Sequence, residues 1–336
     1  MLFYSLFLTT FLFLLITLQK KFLILVDNPH HQKHKILDNK NIPLSGGMYL
    51  LLSILFSTSY AVADSTLLII SLIPFLILGI YSDIKTNFSP KLRFLFQLIL
   101  ILLMVIFLDI KISNTGVFFL DTFINHKGFN LAFTSFCIII LLNGSNFCDG
   151  INCNVIGYYL ILTIGIYFSE LIIPEIYSLE KIIFIFTIFY LFNLINKCFL
   201  GDNGVYILSI FMAVFIIKFI NINKDVSPLL ALNLLWYPAF ENLFTILRRI
   251  FKKQTIQDAD RYHLHTLIYE KLNKRFKNYY SNSLAGIILN IYMLIFMILS
   301  IHYADNAKRL ILILTINIIF YMYLYLKLSV KKSSSE

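Results

Sequence analysis

Apolar residues in this chain come in long blocks, with polar residues gathered in short bursts between them. Blocks of roughly 18–22 residues recur, long enough to cross a hydrocarbon core as helices. Inside a bilayer each backbone polar group must find its partner within its own segment, so helices are the practical solution. The pattern predicts eleven spans, roughly 2–19, 47–63, 65–81, 92–109, 130–147, 155–173, 182–199, 204–222, 228–247, 284–303 and 308–327. The expected fold is an all-α polytopic membrane protein with about 11 transmembrane helices. No internal repeat and no soluble domain stand out. The longest polar segments, 27–45 and 248–283, are too short for a core of their own. Residues 1–336 therefore read as one integral-membrane domain.

Composition agrees with the pattern: 59% of residues are hydrophobic and only 14% are charged. Lysines and arginines then orient the helices. With eleven spans, the connections at about 20–46, 82–91, 148–154, 198–203 and 248–283, with the tail, fall on one side. That side carries most of the basic residues, including Arg248, Arg249, Lys252, Lys253, Lys331 and Lys332. The positive-inside rule makes it cytoplasmic. The first block has no basic residue before Lys20 and no small-residue cleavage site, so it reads as an uncleaved span. The net charge of +10 reflects this loop asymmetry and suits anionic headgroups or phosphorylated substrates. No nucleic-acid motif is present. The four cysteines, Cys137, Cys148, Cys153 and Cys198, lie in or next to cytoplasmic span ends, where disulfides are not expected. No His or Cys pair completes a zinc site near Cys148 and Cys153, which read as apolar fillers.

Against this apolar background the few carboxylates carry the chemistry. Asp83, Asp149 and Asp202 each end a long apolar run, beside glycines or asparagines and on the same side. An ionisable group at a membrane boundary is costly and marks a functional site by default. Five loops supply the candidates. The first runs from Asp27-Asn-Pro through Lys40 to Gly46-Gly47, and a glycine pair opening a helix exposes backbone N–H groups to an anion. In the second, Ser82-Asp83 precedes Ser89-Pro-Lys91-Leu-Arg93, with Pro90 suited to a first helical turn. The third, Asn143-Gly-Ser-Asn146-Phe-Cys-Asp149-Gly-Ile-Asn152, packs amides that provide paired donors and acceptors for a base or an acetamido group. Helix caps and turns would account for one or two of these asparagines. The fourth, Phe199-Leu-Gly-Asp202-Asn-Gly204, sets a carboxylate between glycines, able to hold a hard cation beside phosphate oxygens. The fifth, Asp260-Arg261-Tyr-His263-Leu-His265, offers donors for a pyrophosphate.

In this order the loops resemble the polyprenyl-phosphate N-acetylhexosamine-1-phosphate transferase family, of glycosyltransferase family 4 type, and are most similar to its O-antigen-type members. The likeness covers roughly residues 27–270, and Val226-Ser-Pro228 and Tyr237-Pro-Ala-Phe-Glu241 extend it. Three positions depart from the usual pattern: Ser82 stands where a second acidic residue is common, Cys153 replaces a glycine, and Asn152 follows the subgroup. The resemblance implies a Mg²⁺-dependent transferase of the bacterial inner membrane, with Mn²⁺ as the alternative ion and a cytoplasmic active site. Undecaprenyl phosphate would attack the β-phosphorus of a UDP-N-acetylhexosamine to start a cell-envelope polysaccharide such as O-antigen. It also implies roles. Asp202 and Asp83 would be metal ligands, and His263, His265 and Arg261 would hold the pyrophosphate. Asn146, Asp149 and Asn152, with Asn143 beside them, would read nucleoside or sugar. Lys40 and Lys91 would steer the lipid phosphate, and Gly46 and Gly47 would admit an anion. Membrane lipids are expected partners, and a homodimer is an assembly it allows. Two rival readings are a non-catalytic transport or lipid-binding protein and a family member inactivated at Ser82. The first expects polar residues near span centres, where Asn193 and Asn233 are the few candidates.

Overall fold

The computed structural model describes residues 2–27, 41–57, 63–85, 87–251, 253, 262–276 and 278–333. Among them the chain is almost wholly helical. In order come α1 (Leu2–Phe22), α2 (Gly46–Ser57), α3 (Ala63–Ile84), α4 (Pro90–Phe107), α5 (Phe118–Ile124), α6 (Lys127–Cys148) and α7 (Asn154–Tyr167). They are followed by α8 (Leu179–Leu194), α9 (Gly201–Ile222), α10 (Leu229–Phe251), α11 (Leu264–Asn273), α12 (Asn278–His302) and α13 (Ala307–Ser333). Two short strands, β1 (Val26–Asp27) and β2 (Ile42–Pro43), pair antiparallel. They lie between α1 and α2 and close the first loop. Leu44 then bridges to Phe199, which ties that loop to the entrance of α9.

Each of the eleven expected spans coincides with a helix, and helix length and composition support a smaller number of crossings directly. Among the described residues seven helices are long and apolar enough to cross a membrane: α1, α3, α4, α6, α9, α12 and α13. At 1.5 Å per residue, α2 and α7 reach only about 18 and 21 Å against a core of about 30 Å. The 16-residue α8 falls short as well. The 23-residue α10 is long enough, but Glu241, Arg248 and Arg249 interrupt its apolar run. The eleven-span expectation missed two helices, α5 and α11. Each is under three turns and sits in a connection, where an apolar block of span length cannot form.

The centre of the bundle is α9, whose residues from Gly201 to Ile216 are buried throughout. It packs against α2, α3 and α6. Backbones approach closely there because glycines line the contacts, as expected where lipid offers no hydrophobic drive and van der Waals fit holds helices together. A Cβ at Gly46 would lie 2.7 Å from the Leu200 Cα, and one at Gly79 2.7 Å from the Asn203 amide nitrogen. On another side, Gly144 of α6 meets the Pro238 carbonyl of α10. These approaches bring the ends of α3 and α6 and the starts of α2, α4 and α9 to one end of the bundle.

Candidate functional site

The first turn of α9 is the meeting point. The chain enters it through Gly201, whose φ of +68° is a left-handed conformation that suits glycine. Asp202 follows, 2% exposed. Its Oδ2 accepts a hydrogen bond from the Ser82 hydroxyl at 2.6 Å and an ion-paired bond from Arg93 at 3.2 Å. Its Oδ1 accepts from the Asn146 amide at 2.7 Å. Three helices, α3, α4 and α6, thus each contribute one side chain to a single carboxylate. Arg93 also lies 3.5 Å from Ser82 Oγ, so serine and guanidinium share one face of Asp202.

Asp83 takes a different position from its neighbour. Its Oδ1 accepts from the backbone N–H of Asp202 at 2.9 Å, and its Oδ2 from that of Asn203 at 3.0 Å. The Asn203 amide adds a third bond to Oδ2 at 2.6 Å. The carboxylate caps the start of α9, where orphan N–H groups and the helix dipole favour an anion. Asn203 also accepts from the Gly47 N–H at 2.6 Å. Gly46 and Gly47 are buried against the α9 backbone, so the structure gives this pair a packing role in addition to the N–H it turns toward α9.

The third loop links this node to the histidines. Phe147, next to Asn146, packs on the His263 ring at 5.6 Å between centroids. His263 and His265 stack in turn at 5.3 Å, nearly parallel. Their i, i+2 spacing does not separate them, because His263 has an extended backbone and precedes the first helical residue of α11. His265 lies so close to Gly150 that a Cβ there would strike its Nε2. Asp149, 6% exposed, caps α6 between the two groups.

Not every expected residue converges. Asn152 is anchored elsewhere: its amide donates to Asn193 O at 2.8 Å and Asn196 Oδ1 at 2.6 Å, and its backbone N–H to Asn282 Oδ1 at 2.9 Å. Asn143 turns its amide back onto Ile139 O in its own helix, at 3.0 Å. Lys91 is exposed on the first turn of α4. Lys40 and Arg261 lie outside the described residues. Three further residues, all in quoted motifs but given no role there, join the site: Ser82 and Arg93 on Asp202, and Glu241, which bonds His263 from within α10. A polar residue facing the interior of an apolar helix was the available signal for Glu241.

The oxygen groups at this node are the Asp202 and Asp83 carboxylates and the Ser82 hydroxyl, while Asn146 presents its amide nitrogen and Arg93 its guanidinium. Among the described residues no three His, Cys, Asp or Glu side chains gather into a ready cage. The two carboxylates and the hydroxyl are of the kind that suits Mg²⁺, which is usually held by one or two carboxylates and completed by water and substrate phosphate.

The glycosyl transferase family 4 model matches residues 65–220, from α3 through α9. This segment contains Ser82, Asp83, Arg93, Asn146 and Asp202. The chain is also 27% identical, over 255 residues, to a probable undecaprenyl-phosphate N-acetylglucosaminyl 1-phosphate transferase of Bacillus subtilis (strain 168). That match spans 71% of this chain and 68% of the relative. With its loop motifs in the order of that group and its central helices matched, the chain is similar to glycosyl transferase family 4 across α3 to α9.

Proposed function

We propose that the protein transfers an N-acetylhexosamine-1-phosphate from a UDP-sugar to undecaprenyl phosphate, at a cytoplasmic site in the bacterial inner membrane. A phosphate oxygen of the lipid forms a bond to the β-phosphorus of the donor. The bond from that phosphorus to the bridging oxygen breaks, and its electron pair leaves with UMP. The products are undecaprenyl-diphospho-sugar and UMP. A family relative named for an undecaprenyl-phosphate substrate supports this class of reaction. The observation that carries it is the convergence of Asn146, Ser82 and Arg93 on the buried Asp202.

The residues divide the work. A phosphate monoester is largely ionised at neutral pH, so the nucleophile needs little help from a base. Positioning and electrostatics carry phosphoryl transfer. Arg93, at the rim of the Asp202 cluster, is the described cation best placed to meet an incoming phosphate, with Lys91 two residues before it. His263 and His265 present a stacked pair for the diphosphate, and Asp149 lies between them and the α9 node. Asp202 and Asp83 with Ser82 would hold Mg²⁺, which supplies charge neutralisation of the pyrophosphate and of the departing UMP. The start of O-antigen synthesis is the role proposed for the product.

UMP release tests the reading. Purified protein in detergent, with undecaprenyl phosphate, Mg²⁺ and a panel of UDP-N-acetylhexosamines, should release UMP with at least one donor. The Asp202→Asn variant should not. Equal release by that variant would sink the assignment of Asp202.

A further inference from the structure

Glu241 lies within α10, beyond the matched segment, with no exposed surface. Burying a carboxylate costs several kcal/mol unless it is well paired. Glu241 is paired at both oxygens. His263 Nδ1 lies 2.9 Å from Oε1, and the Tyr321 hydroxyl of α13 donates to Oε2. Thr245, one turn further along α10, approaches the same ring nitrogen at 3.5 Å. An ionised carboxylate only accepts hydrogen bonds, so His263 must carry a hydrogen on Nδ1. That choice fixes the orientation of the ring, with Nε2 on the side away from Glu241.

The same helix holds this segment a second time. Arg248, seven residues after Glu241 and so on the same face, donates to the carbonyl of Tyr262, the residue before His263. It also donates to the Tyr325 hydroxyl at 3.0 Å, with its guanidinium over the rings of Phe244 and Tyr325. The His263 ring is thus held at its edge by Glu241, on its faces by Phe147 and His265, and through its backbone by Arg248. A carboxylate fully buried in an apolar bundle serves no solvation need. Its cost is explained if the ring it orients has a task.

We infer that Glu241 is a positioning residue for the transfer: with Tyr321 behind it, it holds His263 so that Nε2 meets the diphosphate of the donor. The inference rests on the reading under Proposed function, and α13 becomes part of the site's frame.

A double-mutant cycle on the full-length protein tests it, using wild type, Glu241→Gln, His263→Ala and the double variant. UDP is the probe, with its affinity measured by thermal stabilisation of the purified protein, and UMP release is followed in parallel. Glu241→Gln should weaken UDP binding and lower kcat by about ten- to a hundred-fold, the range for losing a hydrogen bond to a charged group. The double variant should be no worse than His263→Ala. Should Glu241→Gln fail to fold, Tyr321→Phe replaces it in the same cycle, with a smaller loss that also vanishes without His263. Losses that add in full, or a Glu241→Gln protein that matches wild type, overturn the inference. So does a wild type that does not bind UDP. Coupled UDP binding with no UMP release from any donor would instead overturn the transfer reading and leave the positioning role standing.

Discussion

Asn146, in the last turn of α6, and Asn152, in the connection to α7, stand six residues apart and do opposite things. Asn146 gives its amide to a buried carboxylate that also holds a serine and an arginine. Asn152 gives its amide to a carbonyl and a side chain at the end of α8, and its backbone N–H to α12. Cys153, in the left-handed conformation, continues the second cluster by donating to Asn193 Oδ1 at 2.6 Å, and Asn290 donates to its carbonyl at 2.7 Å. One cluster is charged and gathers groups that can meet phosphate. The other is neutral and joins α7, α8 and α12. The difference teaches that a polar cluster in a membrane bundle is read by its charge. Amides can satisfy one another as packing, but a buried carboxylate needs a partner or a task.

Turnover and stability separate the two clusters. The largest effect is expected for Asp202→Asn, which keeps the shape and removes the charge. UMP release should fall by about a hundred- to a thousand-fold, as for loss of one preorganised electrostatic group, while size-exclusion profiles stay those of a folded protein. Next is Arg93→Ala, which strips the buried Asp202 of its cation. It should destabilise the protein by about 3 kcal/mol, the lower end for breaking such a pair because the arginine is a quarter exposed. Thermal unfolding in detergent measures it, and UMP release should fall too.

Asn152→Ala reverses the pattern. It should cost about 1–3 kcal/mol of stability by leaving buried partners unmade, with little change in turnover per folded molecule. A stable variant with lost turnover would move Asn152 from the knot to substrate reading and break the comparison. The smallest effect is expected at Ser82. Ser82→Ala removes one hydrogen bond to Asp202, worth about 1 kcal/mol, and should lower UMP release only a few-fold. Ser82→Asp sharpens the point. It sets a second carboxylate beside Asp202 with one guanidinium to serve both, so activity that holds or rises would mean the serine replaces a redundant acid.

Much of this was legible in the chain. Span-length apolar blocks located eleven of the thirteen helices among the described residues, because burial in lipid or protein demands the same apolar composition. The blocks did not give the helices' lengths: α2, α7 and α8 are shorter than the apolar runs that announced them. Asp83, Asp149 and Asp202 were marked as site candidates by the cost of charge in such surroundings. Their division of labour was not legible, since Asp83 caps α9 only where α3 reaches it across 119 residues of sequence.

By itself, then, the sequence determined a helical membrane protein, a motif order like that of the family it resembles and the loops where its polar residues gather. Hydropathy and local charge are properties of segments and need no partner to be read. Only the tertiary structure decided which polar residue faces which. It placed Arg93 and Ser82 on Asp202, Asn152 in a structural knot, and Glu241 behind His263. Those pairings arise because glycine-lined helix contacts bring distant helix ends within hydrogen-bond reach, and no local pattern encodes that proximity.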